Sequence, residues 1–340
     1  MNINVIKRFL RCPVCGANDL EPTPFESKGE TIINGVVSCA KCERWYRIES
    51  EVLELVSDDL RSQEHDHSFK QRFSKHWTGI RDSDIATEAV DAHKWGQKKF
   101  FDSEQAQYET GMMSQNFWRS FDHNFLQYVR EVAKGGLMVE IGGGTGRFSL
   151  PLRNDFQTIL SFDLSENMVR SAIQARNAIQ PMPIHVHYFV GDAENPPLQS
   201  SIADFCLLSG ILHHIGEPEV ALKEMARILK VGGGYMGNEN NHSFFRPVFD
   251  ILMHIKTLWK EEAHEHHFII SREELSKWLG DAGLNSSEWT SVFLPPHMFN
   301  LLSPTLSTRF MLWTDKGCSA VPWLRSQGGL LLYSGSKSGK

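Results

Sequence analysis

Residues 139 to 149 read Val-Glu-Ile-Gly-Gly-Gly-Thr-Gly-Arg-Phe-Ser, and 17 residues past Gly146 an apolar run ends on Asp163. Ahead of the glycines, Gly136-Leu137-Met138-Val139-Glu140-Ile141 is a short apolar run, as expected of a strand buried on both faces of a parallel sheet. Gly142, Gly144 and Gly146 then alternate, and a missing Cβ permits unusual backbone angles and lets main-chain N–H groups approach a ligand. A helix is expected from Arg147 to Leu150, so a ligand here would lie over a helix N-terminus at the carboxyl end of the strand. The next strand, Thr158 to Phe162, delivers Asp163 to the same edge, where a carboxylate can accept two hydrogen bonds from the cis-diol of a ribose. A lone glycine-rich turn is often only a tight turn; the order strand, turn, helix, strand, acid is what points to a nucleoside ligand.

The spacing separates two classes of such ligand. A dinucleotide fingerprint is G-x-G-x-x-G, whereas Glu140 to Gly146 reads acid-x-G-x-G-x-G. This resembles the first motif of the class I S-adenosylmethionine-dependent methyltransferases, and further matches follow in family order. Phe162-Asp163-Leu164-Ser165-Glu166-Asn167-Met168 resembles D-x-S-x-x-M, Val190-Gly191-Asp192-Ala193-Glu194 resembles the G-D-A segment, and Asp204 to Ile215, ending Leu-His-His-Ile, resembles the LHHI signature of the small-molecule branch. Ala221 to Gly234 is similar to the helix and glycine turn before the fifth strand. The resemblance spans about residues 120 to 285.

It implies a Rossmann-like seven-stranded sheet of the α/β class, helices on both faces and the last strand antiparallel. It also implies S-adenosylmethionine as cofactor: Glu140 for the ammonium group through water, Gly142, Gly144 and Gly146 for the amino-acid moiety, Asp163 for the ribose, Leu164 and Met168 beside the adenine, Asp192 for its amino group, with Ala193 and Ser209 lining the same site. The fourth-strand loop lacks the D/N-P-P-Y signature of base and amide N-methylation, so the implied acceptor is a small or medium-sized molecule, with an apolar or lipid-linked one open. A tRNA or rRNA methyltransferase and a non-catalytic cofactor-binding subunit are the alternatives.

A chain of 340 residues, 41% hydrophobic and 22% charged, is long enough for one large domain and a smaller module. Met1 to Arg8 lack the apolar segment of a signal peptide and no run of about 18 apolar residues occurs, which makes a cytoplasmic location the expectation. Cys12-Pro13-Val14-Cys15 and Cys39-Ala40-Lys41-Cys42 lie 23 residues apart. Two such knuckles can present four thiolates to one tetrahedral structural zinc; free thiols or redox pairs are the bland reading. The flanking residues resemble the zinc ribbons that activate tRNA and protein methyltransferases. Residues 1 to 60 carry seven basic against ten acidic groups, the wrong sign for phosphate binding, so packing or scaffolding is favoured over nucleic-acid docking.

The expected organisation is a zinc ribbon over 1–60, a helical lid or linker over 61–130 and the methyltransferase domain over 131–340, with a cap at 243–270 and an insert at 295–328. The aromatics between Phe69 and Tyr128 are read mainly as helix-to-core packing. The polar stretch Gly237 to His242 should reach the carboxyl edge and orient a substrate. The apolar stretch after Ser243 is read as a cap, with peripheral membrane contact as the alternative, and the His-rich stretch 262–267 as the approach to a helix capped by Ser271 and Glu274 rather than as a second metal site. The insert, rich in Leu, Phe and Trp, would wall an apolar pocket or form an oligomer surface. His213 and His214, just beyond the fourth strand, are the candidate catalytic bases, with Tyr108 and His242 behind them.

Overall fold

The computed structural model describes residues 1–77, 80, 92–107, 116–244, 247, 270–292 and 301–339. Tyr108, the cap beyond residue 247 and the His-rich stretch 262–267 lie outside the described residues.

Helix α1 (Ile3–Phe9) precedes an antiparallel sheet of β1 (Leu20–Lys28), β2 (Thr31–Cys39), β3 (Trp45–Glu49) and β4 (Val52–Leu53), in that order. Three helices follow, α2 (Gln63–Arg72), α3 (Ala92–Gln107) and α4 (Asn116–Val132). A second sheet holds β5 (Leu137–Ile141), β6 (Thr158–Asp163), β7 (Val186–Val190), β8 (Ala203–Ser209), β9 (Leu229–Asn240), β10 (Leu284–Val292) and β11 (Leu330–Lys337), ordered β10-β11-β9-β8-β5-β6-β7. The strand pairs β5–β6, β5–β8, β6–β7 and β8–β9 are parallel, and β11 alone runs antiparallel to its neighbours β9 and β10. Helices α5 (Glu166–Ala178), α6 (Pro218–Ile228), α7 (Arg272–Asp281) and α8 (Pro304–Ser319) complete the described fold.

All five residues of β5 are buried, which is why its sequence runs apolar without alternation. On one face α4, α5 and α8 supply Phe121, Phe125, Ala172 and Met311; on the other α6 and α7 supply Leu222, Met225, Leu275 and Leu279. The aromatic positions of α4 recur at Phe117, Phe121 and Phe125 and are buried, so packing is their role there. Helix α7 starts on the expected capping box of Ser271 and Glu274. The segment after the glycine turn departs from expectation. Residues 144–155 form a succession of turns instead of a regular helix, with Leu150 N–H on Gly146 O and Leu152 N–H on Phe148 O. Pro151 interrupts the ladder, because it has no N–H for the carbonyl of Arg147.

In the insert, α8 packs along α4: Met311 is buried and the Tyr128 hydroxyl donates to Asp315 Oδ2 at 2.9 Å.

The N-terminal sheet is fused to the large one. Leu10, Cys12, Val37, Tyr46 and Leu53 share one continuous buried cluster with Phe162, Phe189 and Leu198. Strand β7 is the outer strand of the seven, and Glu54 pairs with Val190 in parallel there while the Leu55 N–H donates to Val190 O at 3.0 Å. The chain leaving the small sheet thus satisfies backbone groups that an edge strand would otherwise expose. Arg47, buried on β3, bridges Glu54 Oε2 at 2.9 Å and Glu166 Oε2 at 2.6 Å, and Lys98 of α3 reaches Glu54 Oε1 at 2.6 Å. Against the cost of burial, the Arg47 and Arg170 guanidiniums hold Glu166 down to about 2. Removing one partner of such a network would strand a buried charge, at a cost of about 3–5 kcal/mol.

Candidate functional site

The glycine turn sits where the sequence places it, at the carboxyl end of β5. Gly142, Gly144 and Gly146 adopt φ of 68°, 52° and 85°, the left-handed region that a side chain resists. Gly143 is constrained differently: a Cβ there would come within 1.9 Å of Ser161 Oγ and 2.7 Å of Glu140 Oε2. Glu140 therefore lies directly beneath the turn, buried, accepting from Ser161 Oγ at 2.7 Å. Burial pushes its carboxyl up to about 7, in spite of hydrogen bonds from Ser161 and Ser149. Gly144 borders open space, with nothing within 4 Å of a Cβ built on it.

Asp163 ends β6 beside that space. Its Oδ2 accepts from the Gly144 N–H at 3.0 Å and its Oδ1 from the Ser165 N–H at 2.9 Å, while burial raises its pKa. A carboxylate has about four lone-pair sites, so two bonds inward leave acceptor capacity for a diol. Leu164 is half-buried and Met168, inside the first turn of α5, is buried. Asp192 follows β7, its Oδ1 accepting from Glu194 N–H at 2.9 Å and its Oδ2 from Lys94 Nζ at 2.8 Å. Burial raises the Asp192 pKa although Lys94 opposes it. Ala193 lies next to it, half-buried. Ser209, at the end of β8, accepts from Asn238 Nδ2 at 2.7 Å. The open space beside Gly144, the buried acid beneath the turn and the acid at the rim fit an amino-acid nucleoside.

Helix α3 runs across this edge. Lys94 bonds Asp192 and Glu194, Phe101 meets the His214 ring edge-on at 5.2 Å, and Asp102 Oδ1 accepts from Ser165 Oγ at 2.6 Å and Asn167 N–H at 3.1 Å. Asp102 thus sits at the N-terminus of α5, where the helix dipole favours an anion. Neither Lys94 nor Asp102 was among the expected site residues, since nothing local in α3 marks which of its polar side chains faces the sheet.

His213 and His214 lie in one short turn of 3-10 helix beyond β8, their rings 4.0 Å apart. Their settings differ. His213 Nδ1 is 2.6 Å from Glu239 Oε2, and the other oxygen of that buried carboxylate accepts from the Ile211 and Leu212 N–H groups at 3.1 and 2.8 Å. Glu239, part of the polar stretch read as able to orient a substrate, holds the histidine loop. The pairing crosses between β8 and β9 over 26 residues, and its visible signal is an acid at the end of the strand beside the histidines. His242, past the end of β9, is exposed.

The cysteines converge. Cys12, Cys15, Cys39 and Cys42 bring all four Sγ atoms within 4.8 Å of one another, with 3.6 Å from Cys12 to Cys42 and 3.5 Å from Cys15 to Cys39. Thiolates about 2.3 Å from one tetrahedral ion stand about 3.8 Å apart, so this donor set fits zinc. Each knuckle closes alike: Gly16 N–H donates to Cys12 O and Glu43 N–H to Cys39 O, both residues at positive φ. The first knuckle is bonded to the loop that carries Asp192. Arg11 N–H donates to Pro197 O at 3.0 Å, Asn195 Nδ2 to Pro13 O at 2.7 Å and Gln199 N–H to Phe9 O at 2.8 Å.

Comparison with known proteins agrees with this geometry. Residues 139–236 match the family described as a methyltransferase domain. The ubiquinone biosynthesis O-methyltransferase of Coxiella burnetii is 22% identical over 175 residues, covering 50% of this chain and 74% of that protein. The ubiquinone/menaquinone biosynthesis C-methyltransferase UbiE of Xylella fastidiosa is 25% identical over 199 residues, covering 53% and 78%. Among solved structures, a chain of the complex between the Haloferax volcanii Trm112 methyltransferase activator and a methyltransferase superposes with a TM-score of 0.50 at 20% identity, over 72% of this chain and 98% of that one. The geranyl diphosphate C-methyltransferase of Streptomyces coelicolor gives 0.51 at 12% identity, over 74% and 99%; both are likenesses of fold. The glycine turn, the rim acids, the seven-stranded sheet and the match over residues 139–236 together support a class I S-adenosylmethionine-dependent methyltransferase domain in this chain, and its N-terminal four-cysteine cluster fits a zinc ribbon.

Proposed function

We propose that the enzyme methylates a hydroxyl-bearing acceptor of small or medium size, with His213 as the base that takes the hydroxyl proton. The observation that carries this reading is the His213–Glu239 pair at the carboxyl edge. With Glu239 ionised, the proton sits on Nδ1 and the ring's lone pair on Nε2. S-adenosylmethionine, when bound, supplies an electrophilic methyl group and leaves as the thioether. The chain's own work is then to align the acceptor oxygen with that methyl and receive its proton on Nε2, as Glu239 stabilises the imidazolium formed. Two relatives act, by their names, in O- and C-methylation within quinone biosynthesis; a base beside a phenol serves either, since the phenolate is the nucleophile at oxygen and at ring carbon. His214, packed edge-on against Phe101, is assigned to packing.

Label from methyl-labelled cofactor should appear on members of a panel of phenols and catechols. His213→Ala should cut turnover by about 10³-fold with cofactor affinity unchanged. Glu239→Gln should fall less, because the amide oxygen can still accept from the loop N–H groups while the charge that stabilises the imidazolium is gone. Label appearing on amines or RNA, or a His213→Ala enzyme of full activity, would overturn the assignment.

Glu140, Gly142, Gly144, Gly146, Asp163, Leu164, Met168, Asp192, Ala193 and Ser209 are proposed to hold the cofactor, and the zinc ribbon to scaffold the loop carrying Asp192. Glu140 makes the first point testable. Its folded carboxyl is raised to about 7 and so keeps its proton through pH 6. A cofactor ammonium above it favours the anion, so binding should release a proton at pH 6 and affinity should climb as pH rises through 7. Calorimetry in buffers of differing ionisation enthalpy reads the proton directly. Glu140→Gln should flatten the pH dependence, and a wild-type affinity independent of pH would count against the role.

A further inference from the structure

Helix α8 is amphipathic the wrong way round for a helix that only packs on a soluble domain. Its inner face places Ser307, Met311 and Asp315 at successive turns, buried against the rest of the fold, with Asp315 bonded to Tyr128. Its outer face is apolar and basic: Leu306, Leu312 and Trp313 are 53%, 46% and 72% exposed, and Arg309 and Lys316 are exposed among them. Leu301, Trp323 and Phe244 are exposed as well, and the Phe244 ring lies 6.1 Å from that of Trp323. Soluble monomers seldom expose large apolar side chains so closely grouped.

The position is informative as well. Phe244 follows β9, and Asn241 Nδ2 donates to Ser326 O and Gly328 O at 2.9 and 2.7 Å. Phe244 and Trp323 therefore lie near the carboxyl end of β9, the strand that also carries Glu239.

We propose that this face docks on a lipid bilayer with anionic headgroups. Leucine and tryptophan supply apolar depth at an interface and arginine and lysine supply attraction to anionic lipid, which together characterise a helix lying in the membrane surface. Charge decides between occupants. The chain as a whole carries a net charge of −6, yet the only acid of α8 is turned inward, so the outer face of the helix presents cations alone. A second copy meeting this face about a two-fold axis would set one cation-only helix face against another, with no outward acid of α8 to offset it. An anionic bilayer meets both the charge and the apolar side chains. No described helix is long and apolar enough to span a membrane, which suits peripheral contact.

The test is flotation of the full-length protein with vesicles of phosphatidylcholine alone and of phosphatidylcholine containing roughly one-third phosphatidylglycerol. Binding is expected to the anionic vesicles and to weaken as salt rises. Arg309→Glu with Lys316→Glu should lower partitioning by about thirtyfold, and Leu306→Ala with Trp313→Ala by about tenfold, both with an unaltered thermal midpoint and cofactor affinity. Absence of binding to anionic vesicles, equal binding by either double variant, or a dimer that dissociates on Trp313→Ala without any vesicle binding would each overturn the proposal.

Discussion

A Cys39→Ser enzyme is expected to lose its zinc, its thermal stability and its grip on S-adenosylmethionine together. A module of this size builds a thin core, and structural zinc contributes on the order of 10 kcal/mol to folding of comparable units. Here the core is not separate: Cys12, Tyr46 and Leu53 belong to the buried cluster that includes Phe162 of β6 and Phe189 of β7. The first knuckle is also bonded through Arg11 and Pro13 to Pro197 and Asn195, in the loop that begins at Asp192. Elemental analysis should fall from one zinc per chain to near none, the melting midpoint should drop by at least about 10 °C, and calorimetry should record at least a tenfold weaker cofactor complex. Zinc loss with unchanged affinity would reduce the ribbon to an independent appendage.

The second large effect is expected in the glycine turn, where two substitutions separate the fold from the ligand. Gly143→Val must displace Ser161 Oγ or the Glu140 carboxylate, which a Cβ would meet at 1.9 and 2.7 Å, so both the turn and cofactor affinity should suffer. A Cβ on Gly144 meets no protein atom within 4 Å, so Gly144→Val adds chiefly left-handed backbone strain, about 1–2 kcal/mol for an ordinary side chain and more for a β-branched one. Yet it fills the space where the amino-acid moiety is proposed to lie. It should therefore melt close to the wild type while binding the cofactor more than 100-fold more weakly; Asp163→Ala should weaken binding as much, by removing the two proposed charge-assisted bonds to a ribose worth about 1.5–3 kcal/mol each, but should also melt lower because it strands the Gly144 and Ser165 N–H groups. Titration calorimetry alongside thermal melts distinguishes the two glycines. Normal affinity in Gly144→Val would move the cofactor elsewhere.

What the sequence made legible was whatever depends on neighbours in the chain. The alternating glycines, the acid ending β6 and the paired cysteines each act through spacing of a few residues, and the structure brings them to one sheet edge and one sulfur cluster. The capping box at Ser271 was readable for the same reason. Partnerships across the fold were not. Glu239 finds His213 only because β8 and β9 lie side by side, Lys94 finds Asp192 only because α3 crosses the edge, and Arg47 finds Glu166 only because the ribbon is docked on α5. The turns after Gly146 were mistaken for a helix because apolar periodicity is present in Phe148 and Leu152, while Pro151 blocks the hydrogen bonds that would regularise it. The reversed polarity of α8 was likewise hidden, since a run of Leu, Phe, Met and Trp does not say which of them face inward.

The hydrogen bonds tying the first cysteine knuckle to the Asp192 loop imply a thermodynamic cycle. If an occupied metal site strengthens the cofactor complex by some factor, the cofactor must strengthen metal retention by the same factor. Enzyme saturated with methyl donor would then surrender its zinc to a competing chelator more reluctantly than idle enzyme. Under metal scarcity, the chains engaged in turnover would be the last to be stripped.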